Sequence, residues 1–122
     1  MEKLLFQVDD KLFCIEIDYV VLVEQYEKVK DQLDDIKVID FRTLYNQQNS
    51  RAGEDIIFIG KDGRVLGLIV DKILKLIKND EISTYKNENF MLEYIKGVVK
   101  ISNYEDSYLI DAKKILEVAY EK

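Results

Sequence analysis

The order of short apolar runs in the first half of this chain recurs in the second half, and that recurrence limits the folds it can adopt more than any single motif does. Leu4-Leu5-Phe6, an acidic turn at Asp9-Asp10-Lys11 and then Leu12-Phe13-Cys14-Ile15-Glu16-Ile17-Asp18 are echoed by Ile56-Ile57-Phe58, a turn at Asp62-Gly63-Arg64 and Val65-Leu66-Gly67-Leu68-Ile69-Val70-Asp71. Each copy continues into a further apolar stretch. Downstream, Val38-Ile39-Asp40-Phe41-Arg42-Thr43-Leu44 is matched by Leu109-Ile110-Asp111-Ala112-Lys113-Lys114-Ile115. A hairpin, a long strand and an Asp-led helical turn therefore occur twice in the same order, which predicts two similar subdomains packed on each other.

The local signals agree with that reading. Leu4 to Val8 and Leu12 to Ile17 are short runs of β-formers around a turn, as are Ile56 to Ile59 and Val65 to Val70, so both pairs are expected to be β-hairpins. Asp62-Gly63 is the strongest turn signal, because glycine accepts a positive φ without a Cβ clash. Tyr19 to Leu33 has both helical spacing and the unbroken run Val20-Val21-Leu22-Val23; the counterpart Ile73-Leu74-Lys75-Leu76-Ile77 decides for a strand over Val20 to Tyr26. Val38-Ile39, Gly97 to Ile101 and Tyr108-Leu109-Ile110 are expected strands, and Ala112 to Tyr120 an amphipathic C-terminal helix. Asn79 to Glu93 is the most loop-like stretch, expected to cross between the subdomains. The first half lacks a counterpart of the Gly97 to Ile101 strand and its Ser102 to Asp106 turn. In their place stands the polar segment Glu27 to Asp35, so the first subdomain is expected to be about one strand short.

With 122 residues, 48% hydrophobic side chains and no proline, the whole chain, 1–122, is expected to form one domain with a sizeable core. No apolar run reaches the roughly 18 residues a spanning helix needs, and the start lacks a signal-peptide pattern, so a cytoplasmic location without membrane insertion is expected. A net charge of −6 counts against nucleic acid as a partner, and Lys72, Lys75 and Lys78 are interleaved with apolar residues instead of forming a basic patch. Cys14, the single cysteine, has no internal disulfide partner. It matches Gly67, which suits a small residue at a close approach of two layers.

Catalytic chemistry has little to rest on. The chain has no histidine, which removes the commonest general base and neutral metal ligand. Adjacent carboxylates at Asp9-Asp10 and Asp34-Asp35 read as solvated turn residues. Ser50, Ser83, Ser102 and Ser107 stand in no nucleophile motif, and Gly60, Gly63 and Gly67 lie in a hairpin, not at a strand-to-helix turn that could cradle phosphate. Asp40 and Asp111 are expected to cap the helical turns that follow them. Arg42, the counterpart of Lys113, is either a partner contact or a solvated first-turn residue. The eight tyrosines suit protein interfaces as well as a core. No enzyme, metal or cofactor is expected.

Taken in this order, the residues resemble the CheW-like domain, the adaptor module of bacterial chemotaxis arrays. The resemblance runs from about Leu4 to Leu116. It rests on Leu5-Phe6-Gln7-Val8 with Phe13-Cys14-Ile15-Glu16-Ile17, on Val38-Ile39-Asp40-Phe41-Arg42, on Val65 to Asp71, and on Ile95-Lys96-Gly97-Val98 with Leu109-Ile110-Asp111. It implies a mostly β fold of two packed SH3-like barrels sharing a core, no enzymatic activity, and binding to the regulatory domain of the chemotaxis histidine kinase and to chemoreceptor tips. Family members carry an Arg-Gly turn, part of the receptor-facing surface, just before the segment matching Val38-Ile39-Asp40. Nothing between Glu24 and Lys37 matches it, which counts against receptor coupling. The alternatives are an interaction module outside receptor coupling and a small carboxylate-dependent hydrolase.

A missing strand leaves an edge whose free amides and carbonyls invite another chain. That edge is expected to pair with a partner or a second copy of the chain, or to be covered by a helix over Glu24 to Leu33. The residues expected to bind a partner are Val20, Leu22, Glu24, Tyr26, Val29, Ile36 and Arg42.

Overall fold

In a computed structural model that describes residues 2–45, 53–78, 82–85, 94–101 and 106–120, the strands in chain order are β1 (Lys3–Val8), β2 (Lys11–Glu16), β3 (Val20–Gln25), β4 (Lys37–Asp40), β5 (Asp55–Lys61), β6 (Arg64–Val70), β7 (Lys72–Ile77), β8 (Ile82–Tyr85), β9 (Ile95–Ile101) and β10 (Ser107–Ile110). Two helices, α1 (Tyr26–Val29) and α2 (Ala112–Tyr120), and 3-10 turns at Ile17–Tyr19, Lys30–Gln32 and Phe41–Tyr45 complete the described elements. Both expected hairpins form. Val8 faces Lys11 across a turn in which Asp9 takes φ 55°, and Lys61 faces Arg64 across a turn with Asp62 at φ 54° and Gly63 at φ 83°. The second turn is the two-residue positive-φ type that matches the natural twist of the flanking strands.

The two hairpins sit at the centres of two sheets, one ordered β7-β1-β2-β10-β9-β8 and the other β3-β5-β6-β4. Neither sheet belongs to one half of the chain. The third strand of each repeat pairs with the hairpin of the other: β3 runs antiparallel to β5, and β7 to β1. The closing strands stay crossed in the same sense, β4 lying parallel to β6 and β10 parallel to β2. Cys14 lies between Leu5 and Leu109 and Gly67 between Phe58 and Val38, so that Leu5 corresponds to Phe58, one residue on from the match expected between Leu4-Leu5-Phe6 and Ile56-Ile57-Phe58. A Cβ on Gly67 would come within 2.8 Å of Ile56 Cδ1, which explains the small residue there.

The core occupies both faces of β1, so Leu4-Leu5-Phe6 is a continuous apolar run and not an alternating one. Leu4, Phe6 and Val8 point between the sheets, where they meet Phe13, Phe41, Ile57, Leu68 and α2, while Leu5 joins Cys14, Ile77, Val99 and Leu109 in a separate cluster. Phe6, Phe13 and Phe41 form an aromatic nucleus with ring centroids 4.7–5.8 Å apart. Truncating any of these rings removes about 3–5 kcal/mol of stability. α2 spans the segment its periodicity predicted and buries Ala112, Ile115 and Leu116.

The missing-strand expectation meets a more particular answer. In the six-stranded sheet β10 is followed by β9 and β8, whereas its counterpart β4 pairs with β6 alone among the described residues. The shortfall thus falls in the sheet built on the second hairpin, because β4 crosses to it. The segment expected to supply a strand or a covering helix forms only α1 and the Lys30–Gln32 turn, neither of which fully buries a side chain. Four residues are too few to present an apolar face. Asn79 to Glu93 is not all loop, since β8 lies inside it. Residues 79–81 and 86–93, and most of the expected Ser102 to Asp106 turn, lie outside the described residues.

Candidate functional site

Arg42 is the largest departure from the sequence reading. It was expected at a partner surface or solvated in a first turn; instead it is 1% exposed and pairs with carboxylates from three elements. Its Nε donates to Asp9 Oδ1 at 3.1 Å from the β1–β2 turn, its Nη1 to Asp40 Oδ1 at 3.4 Å at the end of β4, and its Nη2 to Asp71 Oδ1 just past β6. Asp71 also accepts the Asp9 amide through Oδ2 at 2.5 Å and donates its own amide to Gln7 O at 3.1 Å. A guanidinium removed from water costs several kcal/mol unless it is matched by charge and hydrogen bonds, and here its planar fork meets both needs. The group is a clasp joining the turn of one sheet to the end of the other. It corrects two expectations at once: Arg42 is not available to a partner, and Asp9 is an ion-pair residue, not a freely solvated turn carboxylate.

Both Asp caps form as expected. Asp40 Oδ1 accepts the Arg42 amide at 3.1 Å, and Asp111 Oδ1 accepts the Lys114 amide at 3.1 Å. Asp40 serves cap and clasp together.

The other sequence-predicted partner residues divide between β3 and the segment after it. Among the described residues β3 is an edge strand, bonded to β5 on one side. A bulge at Val21 shifts the register, so that Val20 faces Ile59 and Leu22 faces Phe58. Val20 packs against the core between the sheets, Leu22 is 51% exposed, and Glu24 is half-buried. Tyr26, Val29 and Ile36 are each half-buried, Tyr26 being tethered by its amide to Glu54 O at 2.9 Å. The structure therefore places Val20, Leu22 and Glu24 on β3 with Tyr26 just beyond it at the start of α1, and separates Arg42 from them.

Two residues that the sequence reading did not name as partner contacts flank Leu22 and are exposed with it. Val21 is 61% exposed and Val23 38%. The run Val20-Val21-Leu22-Val23 was read only as a sign of strand; its signal for exposure was that three β-branched residues and a leucine exceed what one buried face of a strand can take. An uninterrupted exposed triplet on an unpaired edge is what monomeric β proteins normally avoid.

The clasp carboxylates are committed to Arg42. Cys14 is buried beside the Ser107 hydroxyl, which donates toward Sγ at 3.5 Å, and burial pushes the thiol up from 9.0 to about 11, so it stays protonated and poorly nucleophilic at neutral pH. Among the described residues, no helix is long and apolar enough to cross a membrane.

No family profile matches the sequence, and no curated protein does. The fold, however, is that of the crystal structure of the scaffolding protein CheW from Thermoanaerobacter tengcongensis. The two superpose with a TM-score of 0.65 over 89% of this chain and 87% of that one, at 16% sequence identity. The chain thus has the CheW-like fold of two SH3-like subdomains and a C-terminal helix.

Proposed function

We propose that the chain is a non-enzymatic adaptor that binds the regulatory domain of a chemotaxis histidine kinase, with the β3 edge as its contact. The observation that carries this reading is the exposed triplet Val21-Leu22-Val23 on a strand that, among the described residues, is an edge of a CheW-like fold. A partner strand laid along β3 would gain main-chain hydrogen bonds and cover the three side chains, with Glu24 and Tyr26 at the end of the same edge. The locked carboxylates and the protonated, buried thiol support an adaptor over the small hydrolase. Receptor tips are left out of the reading, because helical turns occupy the place of the family's Arg-Gly strand.

Calorimetric titration of the chain with the regulatory domain of the kinase encoded in the same genome tests it. Saturable binding is expected, weakened tenfold or more by Leu22→Asp with no loss of thermal stability, since Leu22 is exposed. Absence of binding between folded partners overturns the reading. Binding unaffected by Leu22→Asp would move the contact away from β3.

A further inference from the structure

The repeat supplies a counterpart for every member of the Arg42 clasp. Asp62 matches Asp9, with the same backbone conformation at φ 54° and 55°. Asp111 matches Asp40, Lys113 matches Arg42, and Asp18 matches Asp71. Around Arg42 the four positions close on each other. Around Lys113 they do not: Lys113 and Asp18 are exposed, and a cavity of about 420 Å³ opens between the β5–β6 turn, Tyr19 and the first turns of α2.

Charge in this cavity runs against the charge of the chain. Lys61, Arg64 and Lys113 line it together with only two carboxylates, Asp62 and Glu117, while the protein as a whole carries −6. Among the described residues none of the three cations is held in an ion pair. Lys61 instead lies 5.0 Å over the Tyr19 ring, and Arg64 lies 6.0 Å from the Tyr120 ring. The floor is apolar at Leu116. The rim continues into exposed apolar surface: Val65 follows Arg64, the Tyr120 hydroxyl donates to Val65 O at 2.6 Å, and Gly60 lies between Val21 and Val65, where a Cβ would come within 3.0 Å of Val21 Cγ2.

We propose that this cavity is a second docking site, which takes an aspartate or glutamate side chain from an acidic, apolar-flanked segment of a partner protein. Three cations against two carboxylates, none of the three held in an ion pair among the described residues, supply the attraction for a carboxylate, as the clasp does with signs reversed. The valine and tyrosine surface beside the cavity favours a carboxylate carried on a peptide over a free anion, because a free anion would leave that surface uncovered. The site does not depend on what binds β3.

A capped hexapeptide alternating glutamate and leucine, titrated into the 15N-labelled chain, tests the proposal without any kinase, so its outcome and that of the adaptor reading are separable. Saturable shift changes are expected at the amides of Lys61, Gly63, Arg64, Val65, Lys113 and Leu116. They should be absent with the glutamine-leucine peptide, and the apparent affinity should fall tenfold or more in the Arg64→Ala/Lys113→Ala double variant, whose replaced side chains are both exposed. The absence of saturable changes, an equal response to the glutamine peptide, or changes centred on Lys72, Lys75 and Lys78 would overturn the site. Equal saturation by sodium acetate at the same carboxylate concentration would overturn the peptide as ligand.

Discussion

Two corners of this molecule start from matched residues and end differently. Asp9, Asp40, Arg42 and Asp71 close into a buried clasp, whereas Asp62, Asp111, Lys113 and Asp18 leave an open, cation-lined cavity. The exchange of arginine for lysine at the central position is the simplest physical difference between them. A guanidinium has five donors in a fixed plane and reaches three carboxylates at once; an ammonium is a strongly hydrated point charge that gains less from burial. The comparison teaches that an inherited constellation can be held as structure in one half and left as surface in the other.

The sharpest way to break the comparison is to remove both central cations in turn. Arg42→Met leaves three carboxylates facing one another without a counter-charge, and chemical denaturation should show a loss of about 3–5 kcal/mol. A loss under about 1 kcal/mol would mean that the clasp does not hold the sheets together.

The matched small residues Cys14 and Gly67 sharpen it next. Cys14 is raised from 9.0 to about 11 by burial, only partly offset by the Ser107 hydroxyl, whereas Gly67 has nothing to titrate. The folded state holds the thiol proton more tightly than the unfolded chain. The resulting stability is complete below pH 9 and fades as pH rises toward 11, by about 2–3 kcal/mol in all. Lys96 is also raised: burial lowers it, but the hydrogen bond and charge of Glu16, with Asp111 and Tyr19, together outweigh that, and it loses its charge in the alkaline range. The informative quantity is therefore the difference between the wild type and Cys14→Ala measured from pH 8 to 11: it should change by that amount, and a constant difference would contradict a buried thiol.

Gly67→Ala should cost about 1–2 kcal/mol, because the new methyl group overlaps the end of the Ile56 side chain, which can rotate only within a filled core. A neutral or stabilising result in a thermal melt would show that this layer is looser than its Cys14 counterpart. Smallest of all is Lys113→Met, the mirror of the first substitution. Its side chain is exposed, and the change in stability should stay within about 0.5 kcal/mol.

Most strands, both hairpin turns, the two Asp caps and the terminal helix were legible in the sequence, because each depends on residues a few positions apart: a φ that Asp62-Gly63 can adopt, an amide within reach of Asp40 or Asp111, an apolar stripe on Ala112 to Tyr120. β8 was not legible, being a short pairing that only β9 makes worthwhile. Of the partner-facing residues named from sequence, Leu22 lies exposed on a sheet edge, while Arg42 lies inside. The difference is one of range. Asp9 and Asp71 are 33 and 29 residues from Arg42, and no local pattern records that the three will meet.

The sequence by itself determined that two similar units exist and where their strands, turns and caps fall, because backbone preference and side-chain period act over a few residues. Only the tertiary structure decided that the units trade strands, that β3 becomes an exposed apolar edge, and that one matched constellation closes while the other opens. Those outcomes depend on which distant strands share hydrogen bonds and which charges are removed from water together, and both are set by the fold as a whole.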